Sequence, residues 1–159
     1  MSANDISGQR GVRTFASRRE RAGTIQNHVT SSIVGMVSAS SIVEGALRSA
    51  SIGYWVGREV AGRGIAPTAV AMIADHLMDP QGRNLHRVQL EIRPENAPSL
   101  AVAAKLGLRE EGVRRAYLHI DGDWRDHRSF AVVREELGPG GLMARLSHQH
   151  HPSRTRHTE

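Results

Sequence analysis

Three glycines fall within the eight residues Gly57 to Gly64, between an apolar segment (Gly53-Tyr54-Trp55-Val56) and a run that opens with Pro67. Glycine lets the backbone take positive φ and come close to a bulky anion. Free N–H groups at a helix start, aided by the helix dipole, bind phosphate oxygens. Residues 53–67 therefore suit anion binding. They do not form a mononucleotide P-loop, because no Lys-Ser or Lys-Thr follows the glycine, and no third glycine completes the dinucleotide fingerprint. Alone, they read more readily as a plain strand–turn–helix connection.

These residues need elements to hold them. Residues 24–29 and 32–43 are rich in Ile, Val, Ser and Thr and predict two strands, and residues 50–56 predict a third. Pro67 suits a first helical turn. Val70, Ile73, Ala74 and Leu77 then recur at helical spacing as far as Met78, where Asp79-Pro80-Gln81-Gly82 ends the run. Residues 86–93 alternate with period two, as a strand does. Asn96 can cap a second helix over 97–106, with Gly107 at its C-terminal end. Asp121-Gly122 is a hairpin turn joining strands over 108–120 and 124–133. The order predicts a mixed α+β domain over residues 24–137, built on one mostly antiparallel sheet with flanking helices. Residues 1–23 read as a poorly defined basic segment in which a short helix over 10–22 is the one candidate element. Residues 138–159 read as a disordered, basic, histidine-rich tail after the Gly138-Pro139-Gly140-Gly141 cluster.

A chain of 159 residues suits a single core. No apolar run reaches membrane-spanning length, and the first ten residues lack an apolar signal core. With no cysteine, disulfides, thiolate metal sites and a thiol nucleophile are excluded, which suits a cytoplasmic protein. The net charge is +5, but residues 1–23 carry +3 of it and residues 138–159 carry +2, which leaves the predicted domain formally neutral. A nucleic-acid domain carries its basic stripe on the folded body, so no specific nucleic-acid partner is expected. His148, His150 and His151 lie on the tail without a neighbouring carboxylate and predict no metal site.

Two further blocks join the glycine loop. Arg93-Pro94-Glu95-Asn96-Ala97-Pro98-Ser99 opens the second helix, which continues through Lys105 into Leu106-Gly107-Leu108-Arg109-Glu110-Glu111-Gly112; Asp121-Gly122-Asp123-Trp124-Arg125-Asp126 forms the hairpin. In this order and spacing, from about Ile33 to Leu137, the series resembles the GNAT acetyltransferase superfamily and, within it, the RimJ/RimL-type protein N-terminal acetyltransferases. The resemblance implies the GNAT (acyl-CoA N-acyltransferase) fold. It also implies acetyl-CoA as co-substrate without a metal, with its pantetheine arm in a gap between the strands of 52–56 and 88–92. Val56 and Val60 would bond the arm, Gly62, Arg63, Gly64, Ile65 and Ala66 would hold the pyrophosphate, Asn96 would bond near the pantetheine, and Lys105 would favour the phosphates. Ala61 stands where the family's loop usually begins with Gln or Arg, which predicts a weaker grip. The family also carries another strand and one or two helices ahead of Thr24, so the front end is expected to be shortened.

The implied reaction is attack of a neutral amine on a thioester, which asks the protein for alignment, a base and an acid. By resemblance Ser99 is the candidate acid, with helix capping as its other reading. Glu91 is the candidate base, direct or through water, or else a solvated strand charge. Leu118 occupies the position where some members carry a glutamate. His119 has a suitable side chain but reads as exposed. Of Tyr54 and Trp55, one packs in the core and the other lines the gap. Trp124 and Asp126 read as hairpin stabilisers, and Asp75 and His76 as exposed surface. The expected acceptor is a protein N-terminal α-amine, as on a ribosomal protein. The alternatives are a small amine such as an aminoglycoside or polyamine, for which Asp121, Asp123 and Asp126 are the acidic candidates, and a non-catalytic CoA-binding remnant.

Overall fold

The computed structural model describes residues 12–16, 21–26 and 32–149. Seven strands form one sheet: β1 (Val12–Ala16), β2 (Arg21–Gln26), β3 (Ile33–Val43), β4 (Ser49–Val56), β5 (Arg87–Ile92), β6 (Arg109–Ile120) and β7 (Asp123–Val133). Their order across the sheet is β1-β2-β3-β4-β5-β7-β6. Every pairing is antiparallel except β4 with β5. Among the described residues three α-helices pack with the sheet: α1 (Ile65–Met78), α2 (Ala97–Lys105) and α3 (Gly141–Gln149).

Strand alternation sorts the sheet into two faces. Ala50, Ile52, Val88, Leu90, Ile92, Phe130 and Val132 are buried in the core with α1 residues Ala69, Val70, Ile73, Ala74 and Leu77. The alanines on α1 let its backbone lie close to the strands. Between α1 and β5, the Asp79 carboxylate accepts from the Gln81 amide at 2.9 Å and shapes the turn. Helix α2 ends as the Leu106-Gly107 pair predicts: Gly107 has φ 64, Gly107 N donates to Ala104 O, and Leu108 N donates to Ala103 O, each at 3.0 Å. Asp121 and Gly122 both have positive φ and pair Ile120 with Asp123, which makes a tight two-residue hairpin turn.

Three expectations are corrected. Residues 12–16 form β1, paired with β2, and not part of a basic helix; Val-Arg-Thr-Phe-Ala supplies β-branched and aromatic residues that a ladder accepts. The second strand runs Arg21–Gln26, three residues earlier than its composition predicts, and residues 27–31 lie outside the described residues. The chain also continues past its glycine cluster into α3, in place of a disordered tail from residue 138. Asp75 is the reason. Its carboxylate accepts from the amides of Leu142 and Met143 at 2.8 and 2.9 Å and caps α3, while Leu142 and Leu146 are buried in the core. Arg145 then donates to the carbonyls of Leu106 and Glu136 at 2.8 and 2.7 Å. Asp75 is thus half-buried; burial raises its carboxyl, and the two amides and Arg145 offset the rise. His150 and His151 lie outside the described residues.

Candidate active site

The parallel pair opens into a slot. β4 and β5 are in register for three positions, Ser49 with Arg87, Ala50 with Val88 and Ser51 with Gln89. Ile52–Val56 and Leu90–Ile92 continue without a mutual ladder, so the backbone diverges there. A cleft of about 600 Å³ lies over this opening, bounded by β4, the glycine loop, the start of α1 and one face of α2. A smaller cavity of about 180 Å³ adjoins it, between β4, β5 and β7. Tyr54, Asn96 and Ser99 border both, so they mark the passage from one to the other.

The large cleft gathers most of the residues expected to bind cofactor. Val56, Val60, Gly62, Gly64, Ile65, Ala66, Asn96 and Lys105 all line it. Arg63 does not; its side chain is exposed beside the cleft. Gly64 has φ 77 and stands at the N-cap of α1 with no side chain capping the helix. Among the described residues, the amides of Gly62, Arg63, Gly64, Ile65 and Ala66 find no protein acceptor, whereas those of Val60 and Ala61 are spent on Gly57 and Arg58 carbonyls. Unpaired amides at a helix start with empty space above them form an anion cradle. An added Cβ at Gly62 or Gly64 would meet nothing within 4 Å, so the cradle is open. Arg58, which sequence reasoning passed over, lines the same cleft from the short 3₁₀ turn Arg58–Val60. It brings a cation where Ala61 brings none.

Asn96 does what its position predicts: its side-chain oxygen accepts from the Ser99 amide at 3.2 Å. Ser99 is thereby held in the first turn of α2, with its hydroxyl next to that of Tyr54. Tyr54 and Trp55 both line the large cleft, but Tyr54 alone of the two also borders the small cavity and is half-buried, while Trp55 is 51% exposed. The Tyr54 oxygen is buried without a well-formed hydrogen bond. Burial pushes its hydroxyl above the usual phenol range, and the neighbouring Ser99 side chain partly offsets this.

Glu91 lines the small cavity, but it is not a solvated strand charge, because its side chain is only 8% exposed. The Ser129 hydroxyl donates to Glu91 Oε2 at 2.6 Å, and Arg114 Nε, 3.4 Å from Oε1, donates to Ser129 Oγ at 2.9 Å. Glu91 Oε1 is buried with no hydrogen bond. His119 is exposed and stands edge-on to Trp124, ring centres 5.4 Å apart. Another imidazole, His127, reaches the small cavity from β7 and is 3% exposed. Alternation from Trp124 onward places Arg125, His127 and Ser129 on one face, a signal present in the sequence, but the burial that matters came from β5 and β6 on either side. Two of the three hairpin acids are engaged: Asp123 pairs with Arg125 at 3.3 Å, and Asp126 accepts from the Ala116 amide at 2.8 Å. Among the described residues no group of His, Asp and Glu has the arrangement of a metal site, and no helix is long and apolar enough to cross a membrane.

A family model described as an acetyltransferase (GNAT) domain matches residues 5–109. The chain is 35% identical over 101 residues to probable N-acetyltransferase YjcK of Bacillus subtilis, covering 64% of this chain and 55% of that protein. It is 32% identical over 108 residues to the ribosomal protein uS5-alanine N-acetyltransferase of Escherichia coli, covering 68% and 55%. Among solved structures it resembles Mycobacterium smegmatis RimJ in complex with CoA-disulfide, with a TM-score of 0.76 and 42% identity over 83% of this chain and 61% of that one. The chain thus spans about half the length of the curated relatives it matches.

Proposed function

The chain belongs to the GNAT acetyltransferase family, and we propose that it moves an acetyl group from acetyl-CoA to a primary amine, the N-terminal α-amine of a protein such as a ribosomal protein. The observation that carries the proposal is the set of unpaired amides at residues 62–66 beside an open slot between β4 and β5. Those amides fit a diphosphate, Arg58 and Lys105 complement its charge, and the slot admits an extended arm. Bound acetyl-CoA supplies the acyl thioester and the thiol that leaves.

The protein's part is placement and proton handling. Gly62 to Ala66 hold the anionic end, with Val56 and Val60 offering backbone groups along the slot. Asn96 fixes the first turn of α2 and so aims Ser99 at the passage. Ser99 is the proton donor to the leaving side, with the Tyr54 hydroxyl, kept protonated by burial, next to it. Glu91, buried and with one oxygen that has an ion-pair neighbour but no hydrogen bond, serves the acceptor side. The α-amine assignment draws on the relative that acts on ribosomal protein uS5 alanine. It also draws on a small cavity of about 180 Å³, scaled to a short first side chain. The polycation alternative is weakened because two of its three acids, Asp123 and Asp126, are already engaged. A cytoplasmic setting goes with this function, because ribosomal proteins are made there.

Titration calorimetry with acetyl-CoA, followed by thiol release with peptides that begin Ala or Ser, tests the assignment. Binding heat and peptide-dependent thiol release are the expected results. Binding without release on any amine would leave a CoA-binding remnant, and absence of both would end the assignment.

A further inference from the structure

We propose that His127 receives the proton that the acceptor amine must lose, while Glu91 holds that amine's positive charge beforehand. This rests on the acetyltransferase function above and adds to it a residue that closes the hairpin motif Asp121–His127 and was given no role on sequence grounds.

Four observations converge on His127. It is almost wholly buried, yet it borders the small cavity. Its Nδ1 lies 3.0 Å from the Arg125 carbonyl oxygen, which can only accept, so Nδ1 carries the proton and Nε2 carries the lone pair. The Tyr117 ring packs edge-on, centres 5.8 Å apart, and limits ring rotation. Nε2 has no protein partner among the described residues. A buried imidazole with a fixed tautomer and a free lone pair on a cavity wall is built to accept a proton.

The neighbours divide the work. From β5, Glu91 and Arg93 face the cavity; from β6, Arg114 and Tyr117 face His127; from β4 comes Tyr54; α2 brings only the neutral Asn96 and Ser99. Arg93 donates to Glu95 at 2.7 Å, and Arg114 donates to Ser129 beside Glu91, so both cations are engaged. Glu91 Oε2 accepts a hydrogen bond from the Ser129 hydroxyl, and Arg114 Nε stands 3.4 Å from Oε1, so this carboxylate is already committed to a charge-holding network. Oε1 itself is buried without a hydrogen bond, with only the longer Arg114 contact beside it, an arrangement that an incoming ammonium completes. In the step itself an N–H bond of the ammonium breaks and its electron pair stays on nitrogen. The proton joins the Nε2 lone pair, and the imidazolium returns it to water after the product leaves.

The test is the pH profile of kcat/KM for an Ala-starting peptide, in wild type and in His127→Asn, which keeps an amide donor for the Arg125 carbonyl but cannot titrate. The expected result is a loss of about 10²- to 10³-fold at pH 7. The acidic limb should disappear, acetyl-CoA affinity should hold within about twofold, and added imidazole should restore part of the rate. His119→Asn should leave the profile unchanged. An acidic limb that persists at the wild-type midpoint, with acetyl-CoA still binding, overturns the role of His127 alone; absent acetyl-CoA binding in wild type overturns the parent function instead. If His127→Asn does not fold, nitrogen NMR of the wild-type imidazoles decides. An unprotonated Nε2 on His127 that shifts when peptide is added supports the role, and a protonated or unresponsive Nε2 refutes it.

Discussion

Replacing Tyr54 with phenylalanine separates stability from function in one experiment. The Tyr54 hydroxyl is buried between the two cavities and has no well-formed hydrogen bond. A buried polar group left unsatisfied costs about 1–3 kcal/mol. The ring's packing survives in Tyr54→Phe, so the variant should gain about 1–2 kcal/mol. For a chain of this size that raises Tm by roughly 2–8 °C. Direction of ionisation gives a second sign. Burial raises the folded-state pKa of this hydroxyl above its ordinary 10.0, so above pH 10 the unfolded chain sheds a proton that the folded chain keeps. Wild-type stability therefore falls as pH climbs past 10, and Tyr54→Phe should lose that component. The same substitution removes the donor next to Ser99, and turnover should fall by roughly 10²-fold, the scale for one transition-state hydrogen-bond donor. Scanning calorimetry in the absence of ligand and thiol-release kinetics on the same samples report both. A variant that melts below wild type would show that the hydroxyl is satisfied after all. A variant that is stabilised and fully active would strip Tyr54 of its functional role.

Other perturbations probe other parts. Asp75→Ala removes both acceptors from the start of α3 and should cost about 2 kcal/mol, roughly 4–8 °C in Tm, with acetyl-CoA affinity unchanged; a loss of affinity would contradict the separation of this cap from the cleft. Arg58→Ala combined with Lys105→Ala should weaken acetyl-CoA binding by about tenfold at low ionic strength and by less in high salt, as calorimetry at two salt concentrations would reveal. Glu111, bonded to Arg87 and Arg109, has its carboxyl held down to about 2. Its stabilisation is present above the ordinary carboxylate range and is lost as pH falls from about 4.5 towards 2. The side chain is 27% exposed, so screening limits the effect to about 0.5–1 kcal/mol, and Glu111→Gln should flatten that part of an acid-unfolding curve.

Much of the fold could be read from residue order because the signals were local. Helical spacing marked α1 nearly to the residue, Asn96 and Gly107 bracketed α2, and Asp121-Gly122 set the hairpin, since caps and tight turns are decided by a few adjacent side chains. The unpaired amides at residues 62–66 were legible for the same reason: glycines and a helix start are neighbours along the chain. Whatever depended on partners distant in sequence was not. α3 exists because Asp75, some 67 residues upstream, caps it and the core accepts two leucines. Glu91 looked like a solvated charge until Ser129 and Arg114 closed over it. His119 was the histidine considered from sequence, yet the sheet buried His127 and left His119 exposed. Local conformational preference is written in the order of residues; burial, and with it the chemistry of a carboxylate or an imidazole, is set only when distant strands come together.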